Sequence, residues 1–311
     1  MSKSPFPPKS VVIREVGPRD GFQNEPEEIG TDDKVRMINA LFEAGFRRVE
    51  VASFVRPDVI PQLSDGPEVL NRIAAPDGVD LAVLIPNMKG LEKALPYREK
   101  FHEGVLFASA SETHNLKNVN KSVSESMDEN ILIAERLLAE AITPTAVIAT
   151  SFGCPFEGHV SPAQVFEMAE QFIGAGVKEI GFGDTTGMAN PWQVEEFFSQ
   201  ASDRLPGVQL TAHFHNTRGQ GLANVVAAMR AGCTSFESSF GELGGCPVPP
   251  GSTGNISTED LVSMLHEMGV ETGVDLLKVI DAARDMQTLL GRKLTSHSLV
   301  AGPIEWNDTS A

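Results

Sequence analysis

Cysteine is scarce in this chain of 311 residues, which contains only Cys154, Cys233 and Cys246. Their number is odd and they lie far apart, so the sequence excludes a disulfide framework and fits a reducing compartment. A chain of this length can bury a substantial hydrophobic core without covalent cross-links. The fold is therefore expected to depend on packing alone.

Long apolar runs are lacking too. No stretch approaches the run of about 20 apolar residues that a transmembrane helix needs. The first ten residues hold three prolines and no apolar core of a signal peptide. These absences predict a soluble, cytoplasmic protein that neither enters a membrane nor is secreted.

Basic residues are few: 25 Lys and Arg stand against 42 Asp and Glu, which gives a formal net charge of -17. The summed field repels nucleic-acid backbones and anionic lipids, so neither is a predicted partner. A small anionic substrate is not excluded, because a local cluster of basic and amide groups is enough to bind it.

Short β-branched or apolar segments alternate with amphipathic helical segments, which is typical of a parallel sheet built from βα units. The predicted strands are residues 11–16, 48–51, 81–84, 104–108, 145–149, 179–182, 208–212 and 235–238. Eight such units in about 250 residues predict an α/β fold, a (β/α)8 TIM barrel. An open doubly wound sheet is the alternative, but no GxGxxG turn follows the first strand.

Helical segments separate many of these strands, and further helices follow the last strand. The predicted helices are residues 32–44, 122–141, 161–175, 191–204, 222–231, 258–268 and 276–290. The last two would pack on the outside of the barrel or on a second subunit. The expected organisation is a flexible N-terminus (1–10), one catalytic barrel with C-terminal helices (11–300) and a flexible tail (301–311).

The most informative motif is the His-x-His pair, His213 and His215, at the end of the seventh predicted strand. Alternate residues of a strand point to the same face, so both imidazoles lie together. In α/β enzymes the chemistry lies at the C-terminal ends of the strands. The pair indicates a metal site, and the alternative is two histidines that are satisfied by local hydrogen bonds.

In a barrel the C-terminal ends of all strands converge on one mouth, which brings Asp20 and Asn255 toward His213 and His215. A carboxylate, two imidazoles and an amide oxygen suit an octahedral Mg2+ or Mn2+. Zinc is the second choice, since no thiolate cluster is present. Taken alone, Asp20 also fits an ordinary turn residue.

Two further residues at the predicted mouth could take part in catalysis. The guanidinium of Arg19 could stabilise a developing oxyanion, and the alternative is an ion pair at the barrel rim. The thiol of Cys246 lies in a glycine-rich loop and could act as a general acid or base, although a lone cysteine is commonly a small buried hydrophobe. Gln23, Glu50 and Asp184 are the other polar candidates at strand ends.

Several motifs resemble the 3-hydroxy-3-methylglutaryl-CoA lyase family, metal-dependent TIM-barrel lyases with an Arg-Asp motif. The resemblance covers about residues 11–295, and the motifs EVGPRDG (15–21) and LGGCP (243–247) are specific. The other matching segments are residues 22–25, 53–55, 86–90, 153–158, 183–185, 213–217, 219–220, 222–224, 254–255 and 258–260.

The resemblance implies a retro-Claisen cleavage of an acyl-CoA to acetyl-CoA and a keto product. The implied ligands of the divalent ion are Asp20, His213, His215 and Asn255. The implied catalytic groups are Arg19 at the enolate oxygen and Cys246 in proton transfer, with Glu50, Asp184 and His213 close by. A homodimer is the expected assembly.

The chain departs from the family pattern where the resemblance places the substrate's acyl end. Asn216 replaces an Asp, Arg218 a Tyr and Gly181 a Ser, while Val147 stands at a family Tyr. These positions and Gln23 are the expected substrate contacts, and their chemistry predicts an acyl group other than hydroxymethylglutaryl with unchanged cleavage chemistry. The alternatives are a Claisen-condensing synthase and a barrel that binds a metal without catalysis.

Overall fold

A computed structural model describes residues 6–244 and 254–306. Eight parallel strands close into a barrel in the order β1 to β8, with β1 paired to β8. The strands are β1 Val12–Glu15, β2 Arg48–Ser53, β3 Asp80–Leu84, β4 Glu103–Ser109, β5 Thr143–Ala149, β6 Glu179–Asp184, β7 Gln209–Phe214 and β8 Ser235–Ser238. The predicted TIM barrel is confirmed, and the open sheet is excluded.

Eleven α-helices occur in the described residues, and most lie outside the barrel between successive strands. They are α1 Thr31–Glu43, α2 Gly66–Arg72, α3 Met88–Ala94, α4 Glu112–Val119, α5 Val123–Ala139, α6 Pro162–Gly174, α7 Pro191–Arg204, α8 Gly221–Arg230, α9 Thr258–Glu267, α10 Leu276–Leu290 and α11 His297–Ala301. The sequence prediction missed α2, α3, α4 and α11, which have five to eight residues each. So short a helix shows too few turns for a clear apolar period.

Between the barrel and its outer helices the core is rich in phenylalanine. The ring of Phe197 on α7 lies 4.8 Å from Phe152, 4.8 Å from Phe166 and 5.0 Å from Phe182, centroid to centroid. All three rings are tilted or edge-on to the ring of Phe197, and these geometries stabilise aromatic pairs beyond the effect of burial. This packing fixes α6 and α7 against β6, whose end carries Asp184.

At its N-terminal end the barrel interior holds charge instead of the usual branched aliphatic layer. Arg14 donates to Glu179 at 2.7 Å and to Glu103 at 2.8 Å, and Arg48 reaches the same two carboxylates at 2.8 and 2.7 Å. Two cations and two anions satisfy one another there, which a buried charge requires. This four-residue group is called the basal charge cluster below.

No helix in residues 6–244 and 254–306 is long and apolar enough to cross a membrane. The predicted flexible ends include residues 1–5 and 307–311, which lie outside the described part of the chain. That division, the homodimer and the cytoplasmic location therefore stay predictions.

Candidate metal centre and active site

The turn after β1 places Arg19 and Asp20 at the mouth of the barrel. Residues Gly17–Gly21 form a single π-helical turn, in which the carbonyl of Val16 accepts hydrogen bonds from Arg19 N at 3.1 Å and Asp20 N at 2.7 Å. Pro18 suits the start of such a turn, because the first N–H groups of a helix have no internal partner. The turn therefore holds both side chains in a fixed position beside β2.

The histidine pair marks the end of β7. His213 lies in the strand, and His215, just past it, forms an isolated bridge with Asn255. The bridge is held by hydrogen bonds from Asn216 N to Gly254 O at 3.2 Å and from Ile256 N to Phe214 O at 3.0 Å. The chain after residue 253 thus returns to β7 and brings Asn255 beside the two imidazoles.

Asp20, His213 and His215 form a compact cluster, whose potential ligand atoms all lie within 4.8 Å of one another. The two Nε2 atoms are 3.0 Å apart. That spacing matches adjacent ligands of an octahedral ion, which are about 3 Å apart when ligand bonds measure about 2.1 Å. Sequence reasoning placed these three groups together, and the structure brings them together.

Asn255 lies beside Asp20 and His215 and completes the set. Its Nδ2 donates to Asp20 Oδ2 at 2.8 Å, while its buried Oδ1 accepts no hydrogen bond from the described residues. An unpaired buried carbonyl costs free energy, so a partner is expected there. The amide oxygen and the carboxylate of Asp20 are hard ligands that fit Mg2+ or Mn2+. The four residues fit a divalent ion.

The charge of Asp20 is stabilised by its neighbours. Burial would raise the pKa of this carboxyl, but the positive charge of Arg19 and the two imidazoles outweigh burial and lower the pKa to about 2. A carboxylate that stays ionised at all physiological pH values is what a metal ligand needs. Gln23 supports it, since its Nε2 donates to Asp20 Oδ1 at 2.7 Å.

Arg19 is held in a planar fork by Glu50. Arg19 Nε and Nη2 each donate to one oxygen of Glu50 at 2.8 Å, and Nη1 donates to Asp20 Oδ1 at 2.6 Å. Burial raises the pKa of Glu50, against the effect of the Arg19 charge. The fork fixes the guanidinium plane beside the ligand cluster, so both Arg19 and Glu50 lie where the sequence placed them. Glu50 is, however, an interior residue of β2, which runs three residues further to Ser53.

Asp184 ends β6 and faces the same mouth. Its Oδ1 accepts hydrogen bonds from Met188 N at 2.8 Å and Ala189 N at 3.1 Å, and its buried Oδ2 accepts none from the described residues. Burial raises the pKa of Asp184 to about 6, despite the two backbone hydrogen bonds. A carboxyl with a pKa near the working pH is suited to accept and return a proton.

The remaining predicted substrate contacts lie on β5, β6 and the loop after β7. Val147 and Gly181 are partners in register, and Gly181 is also in register with Thr211, whose hydroxyl contacts Glu179 inside the barrel. This row therefore faces the interior. A Cβ on Gly181 would lie 3.2 Å from Val147 Cγ2. The side chain of Asn216 is engaged elsewhere, since its Nδ2 donates to Glu242 Oε1 at 2.8 Å.

Cys246, the predicted proton-transfer residue, lies outside the described residues. The chain that leads to it passes close to the ligand cluster at Gly244, whose φ of +99° is a conformation that L side chains rarely adopt. A Cβ at Gly244 would lie 2.9 Å from Asn255 Nδ2 and 3.2 Å from Asp20 O. Glycine is therefore required for this approach.

Sequence reasoning missed two buried carboxyls beside the site, Glu15 and Glu237. Glu237 accepts a hydrogen bond from His213 Nδ1 at 2.9 Å. Glu15 accepts from Gly17 N at 2.8 Å and Phe240 N at 3.2 Å through Oε1, and from Thr258 Oγ1 at 2.7 Å through Oε2. For Glu237 the available signal was an acidic residue on the interior register of a short barrel strand, where it is in register with Arg14. Glu15 lies on the opposite face of β1, and its signal was an acidic residue in a short strand, which calls for a partner once it is buried.

Glu15 joins the turn of Arg19 and Asp20 to the segment after β8, and burial raises its pKa to about 8. We predict that the wild-type protein loses stability relative to Glu15→Gln as pH rises. The folded chain keeps this proton up to about pH 8, whereas the unfolded chain releases it near 4.5. The stabilisation is thus complete below pH 4.5 and is lost as pH rises through that window to about 8.

Glutamine is the matched variant because it resembles the protonated carboxyl. Its oxygen can accept the two backbone hydrogen bonds, and its amide group can face the hydroxyl of Thr258. Urea unfolding of both proteins between about pH 5 and about pH 8 should show a difference in unfolding free energy that changes by about 1.4 kcal/mol per pH unit. If the unfolding free energies of the two proteins ran parallel over this pH range, folding would not raise the pKa of Glu15.

The closed (β/α)8 barrel and the ligand cluster at its mouth define a TIM-barrel protein with a candidate divalent-metal centre. Comparison with known proteins then gives the family. The HMGL-like family matches residues 10–286, and the chain belongs to this family. The predicted family membership is confirmed.

The relatives are lyases that match nearly the whole chain. Hydroxymethylglutaryl-CoA lyase YngG of Bacillus subtilis is 45% identical over 292 residues, which are 94% of this chain and 97% of the relative. The human mitochondrial hydroxymethylglutaryl-CoA lyase is 40% identical over 93% of this chain and 88% of its own. A solved HMG-CoA lyase from Acinetobacter baumannii, in complex with coenzyme A and 3-methylmalate, is 42% identical, covers 97% of both chains and superposes with a TM-score of 0.91.

Proposed function

We propose that this protein is a divalent-metal-dependent carbon–carbon lyase that cleaves a 3-hydroxy-3-methylglutaryl-CoA-like thioester to acetyl-CoA and a keto product. The observation that carries the proposal is the juxtaposition of the four-residue ligand set with the Arg19–Glu50 fork at one end of a barrel. The relatives are lyases of this kind, and the coenzyme A complex of one relative supports an acyl-CoA substrate.

Asp20, His213, His215 and Asn255 would hold the ion, Mg2+ or Mn2+. A bound divalent cation polarises a hydroxyl or carbonyl oxygen and lowers the pKa of the hydroxyl. The residues of the chain supply orientation and proton transfer. Gln23 supports this set through its hydrogen bond to Asp20.

Cleavage requires a group that removes the proton of the tertiary hydroxyl and groups that stabilise the enolate of the departing thioester. Asp184 is suited to take the proton, since burial raises its pKa to about 6 and its Oδ2 accepts no hydrogen bond within residues 6–244 and 254–306. Arg19 stabilises the enolate oxygen, with its guanidinium oriented by Glu50. His213, as one of the four ligands, would lie close to the reacting oxygen, and Cys246 is assigned the return of a proton to the acetyl carbon.

Substrate choice is the finer part of the proposal. Val147 and Gly181 supply an apolar, interior-facing row on β5 and β6, which offers no side-chain hydrogen bond to a polar acyl end. Asn216 is engaged with Glu242. These contacts support an acyl group other than hydroxymethylglutaryl, on a coenzyme A thioester that is cleaved by the same chemistry.

Metal removal tests the activity. We expect EDTA treatment to lower the release of acetyl-CoA more than about 100-fold, and added Mg2+ or Mn2+ to restore it. A coupled assay measures acetyl-CoA from hydroxymethylglutaryl-CoA and from other 3-hydroxy-3-methyl acyl-CoA thioesters. Full activity after chelation would refute the metal-dependent reaction, whereas fast turnover of hydroxymethylglutaryl-CoA alone would refute only the altered acyl preference.

A further inference from the structure

Glu237 on β8 is a buried carboxylate directly behind the ligand cluster. It is 6% exposed, and its Oε2 lies 2.9 Å from His213 Nδ1. The other ring nitrogen of His213, Nε2, faces His215 Nε2 at 3.0 Å and belongs to the ligand set. His213 therefore has one nitrogen on the cluster and the other on Glu237.

The contact with Glu237 determines which nitrogen of His213 carries the proton. An ionised carboxylate only accepts hydrogen bonds, so His213 Nδ1 must donate. In the neutral imidazole Nε2 then keeps its lone pair, which is the form that can bind a cation. The opposite tautomer would direct an N–H at the ion.

Arg14 holds Glu237 from the side of the basal charge cluster. Arg14 Nε lies 3.6 Å from Glu237 Oε1, while its two other nitrogens donate to Glu103 and Glu179 at 2.8 and 2.7 Å. One oxygen of Glu237 thus faces a fixed cation and the other faces His213. The carboxylate cannot turn away without leaving the Arg14 charge.

We propose that Glu237 is a positioning residue that sets the tautomer and the ring orientation of the metal ligand His213, with Arg14 as its anchor. This inference rests on the proposed function, since it requires a cation at the cluster. Hydrogen-bonded partners of metal-binding histidines commonly raise metal affinity in this way.

Glu237→Gln is the sharpest variant because it keeps the shape and removes the charge. Arg14 Nε is a donor, so it attracts the amide oxygen and leaves the amide NH2 directed at His213 Nδ1. The NH2 group is a donor, so His213 Nδ1 would have to accept and the proton of the neutral ring would move to Nε2, the nitrogen that faces the ion. We expect the dissociation constant for Mn2+ of the purified, metal-stripped protein, measured by calorimetry or electron paramagnetic resonance, to rise about 10- to 100-fold.

Glu103→Gln is the matched control. Glu103 also bonds Arg14 and is equally buried, but its described partners are the arginines Arg14 and Arg48 and not a ligand. We expect Mn2+ binding by this variant to stay within about threefold of wild type, even where its thermal stability falls by as much as that of Glu237→Gln. Glu237→Asp, with its shorter reach, should lie between wild type and Glu237→Gln and serves if the glutamine variant does not fold.

Equal Mn2+ affinity in wild type and Glu237→Gln would overturn the positioning role alone. Equal losses in Glu237→Gln and Glu103→Gln would also overturn it, because the effect would then come from the basal charge cluster. Failure of the wild-type protein to bind Mn2+ would instead overturn the proposed metal centre, and this inference with it.

Discussion

Replacement of Arg19 by lysine is expected to lower kcat of thioester cleavage by about a thousandfold, with a much smaller change in KM. The guanidinium forms two parallel bonds to Glu50 at 2.8 Å and a third bond to Asp20. Lysine keeps one positive charge but cannot reproduce this planar fork. The ammonium group of lysine would not be held in a single position, whereas stabilisation of the enolate oxygen requires the positive charge at one fixed place.

The measurement is steady-state kinetics of acetyl-CoA release, with Mn2+ affinity determined on the same preparations. Arg19→Lys should bind Mn2+ within about threefold of wild type, because the charge beside Asp20 is retained. Glu50→Gln is the companion variant, because it keeps the guanidinium of Arg19 but orients it less firmly. Its kcat should lie between those of the wild type and Arg19→Lys. A kcat of Arg19→Lys close to wild type would mean that the fork is a rim ion pair without catalytic function.

The architecture and the clustering of the candidate ligands could be predicted because both follow from the alternation of strands and helices along the chain. Alternating strands and helices predict a closed barrel, and the closure brings all strand ends to one mouth. Asp20 and His213 are 193 positions apart in the chain. Asp20 lies in the turn after β1 and His213 lies near the end of β7, so the topology of the barrel brings them together. The helices that the prediction missed are short. Some predicted strands stop before the observed ones, because their last residues are polar or glycine, such as Gly183 and Asp184 in β6.

Pairings within the barrel interior could not be predicted. The sequence shows that Glu50 and Glu237 occur in barrel strands, but not that Glu50 meets the guanidinium of Arg19 or that Glu237 meets a ring nitrogen of His213. Those partners depend on the register of neighbouring strands, which shifts by a bulge between β2 and β3. A one-residue change in register reverses the face on which a side chain lies. Contacts such as Glu50 to Arg19 are therefore structural findings.

Charge is distributed unevenly along the axis of the barrel. The basal charge cluster pairs two arginines with two glutamates, whereas at the mouth Asp20 and Glu50 both bond the guanidinium of Arg19. Two carboxylates that share one guanidinium leave a local excess of negative charge. A divalent cation at the ligand cluster would offset that excess, which links the metal requirement to the stability of the site.

Replacement of Asp20 by asparagine is expected to have the largest effect on the metal centre. Asparagine keeps the size of the side chain but removes the charge, which is stabilised so strongly that the pKa of Asp20 is about 2. Loss of a partner that only orients a ligand commonly costs about 10- to 100-fold in affinity, and loss of a charged ligand should cost more. We expect the dissociation constant for Mn2+ to rise about a thousandfold, and turnover to fall in parallel at any fixed Mn2+ concentration.

Asp184→Asn provides the control for Asp20→Asn. Asp184 is buried at the same mouth, but its described hydrogen bonds are to the backbone of Met188 and Ala189, and it is not one of the clustered ligands. Its asparagine variant should bind Mn2+ nearly as wild type does and lose turnover through proton transfer. Calorimetric titration of both variants distinguishes the two carboxyls. If Asp20→Asn bound Mn2+ as tightly as Asp184→Asn, the cation could not lie among Asp20, His213 and His215.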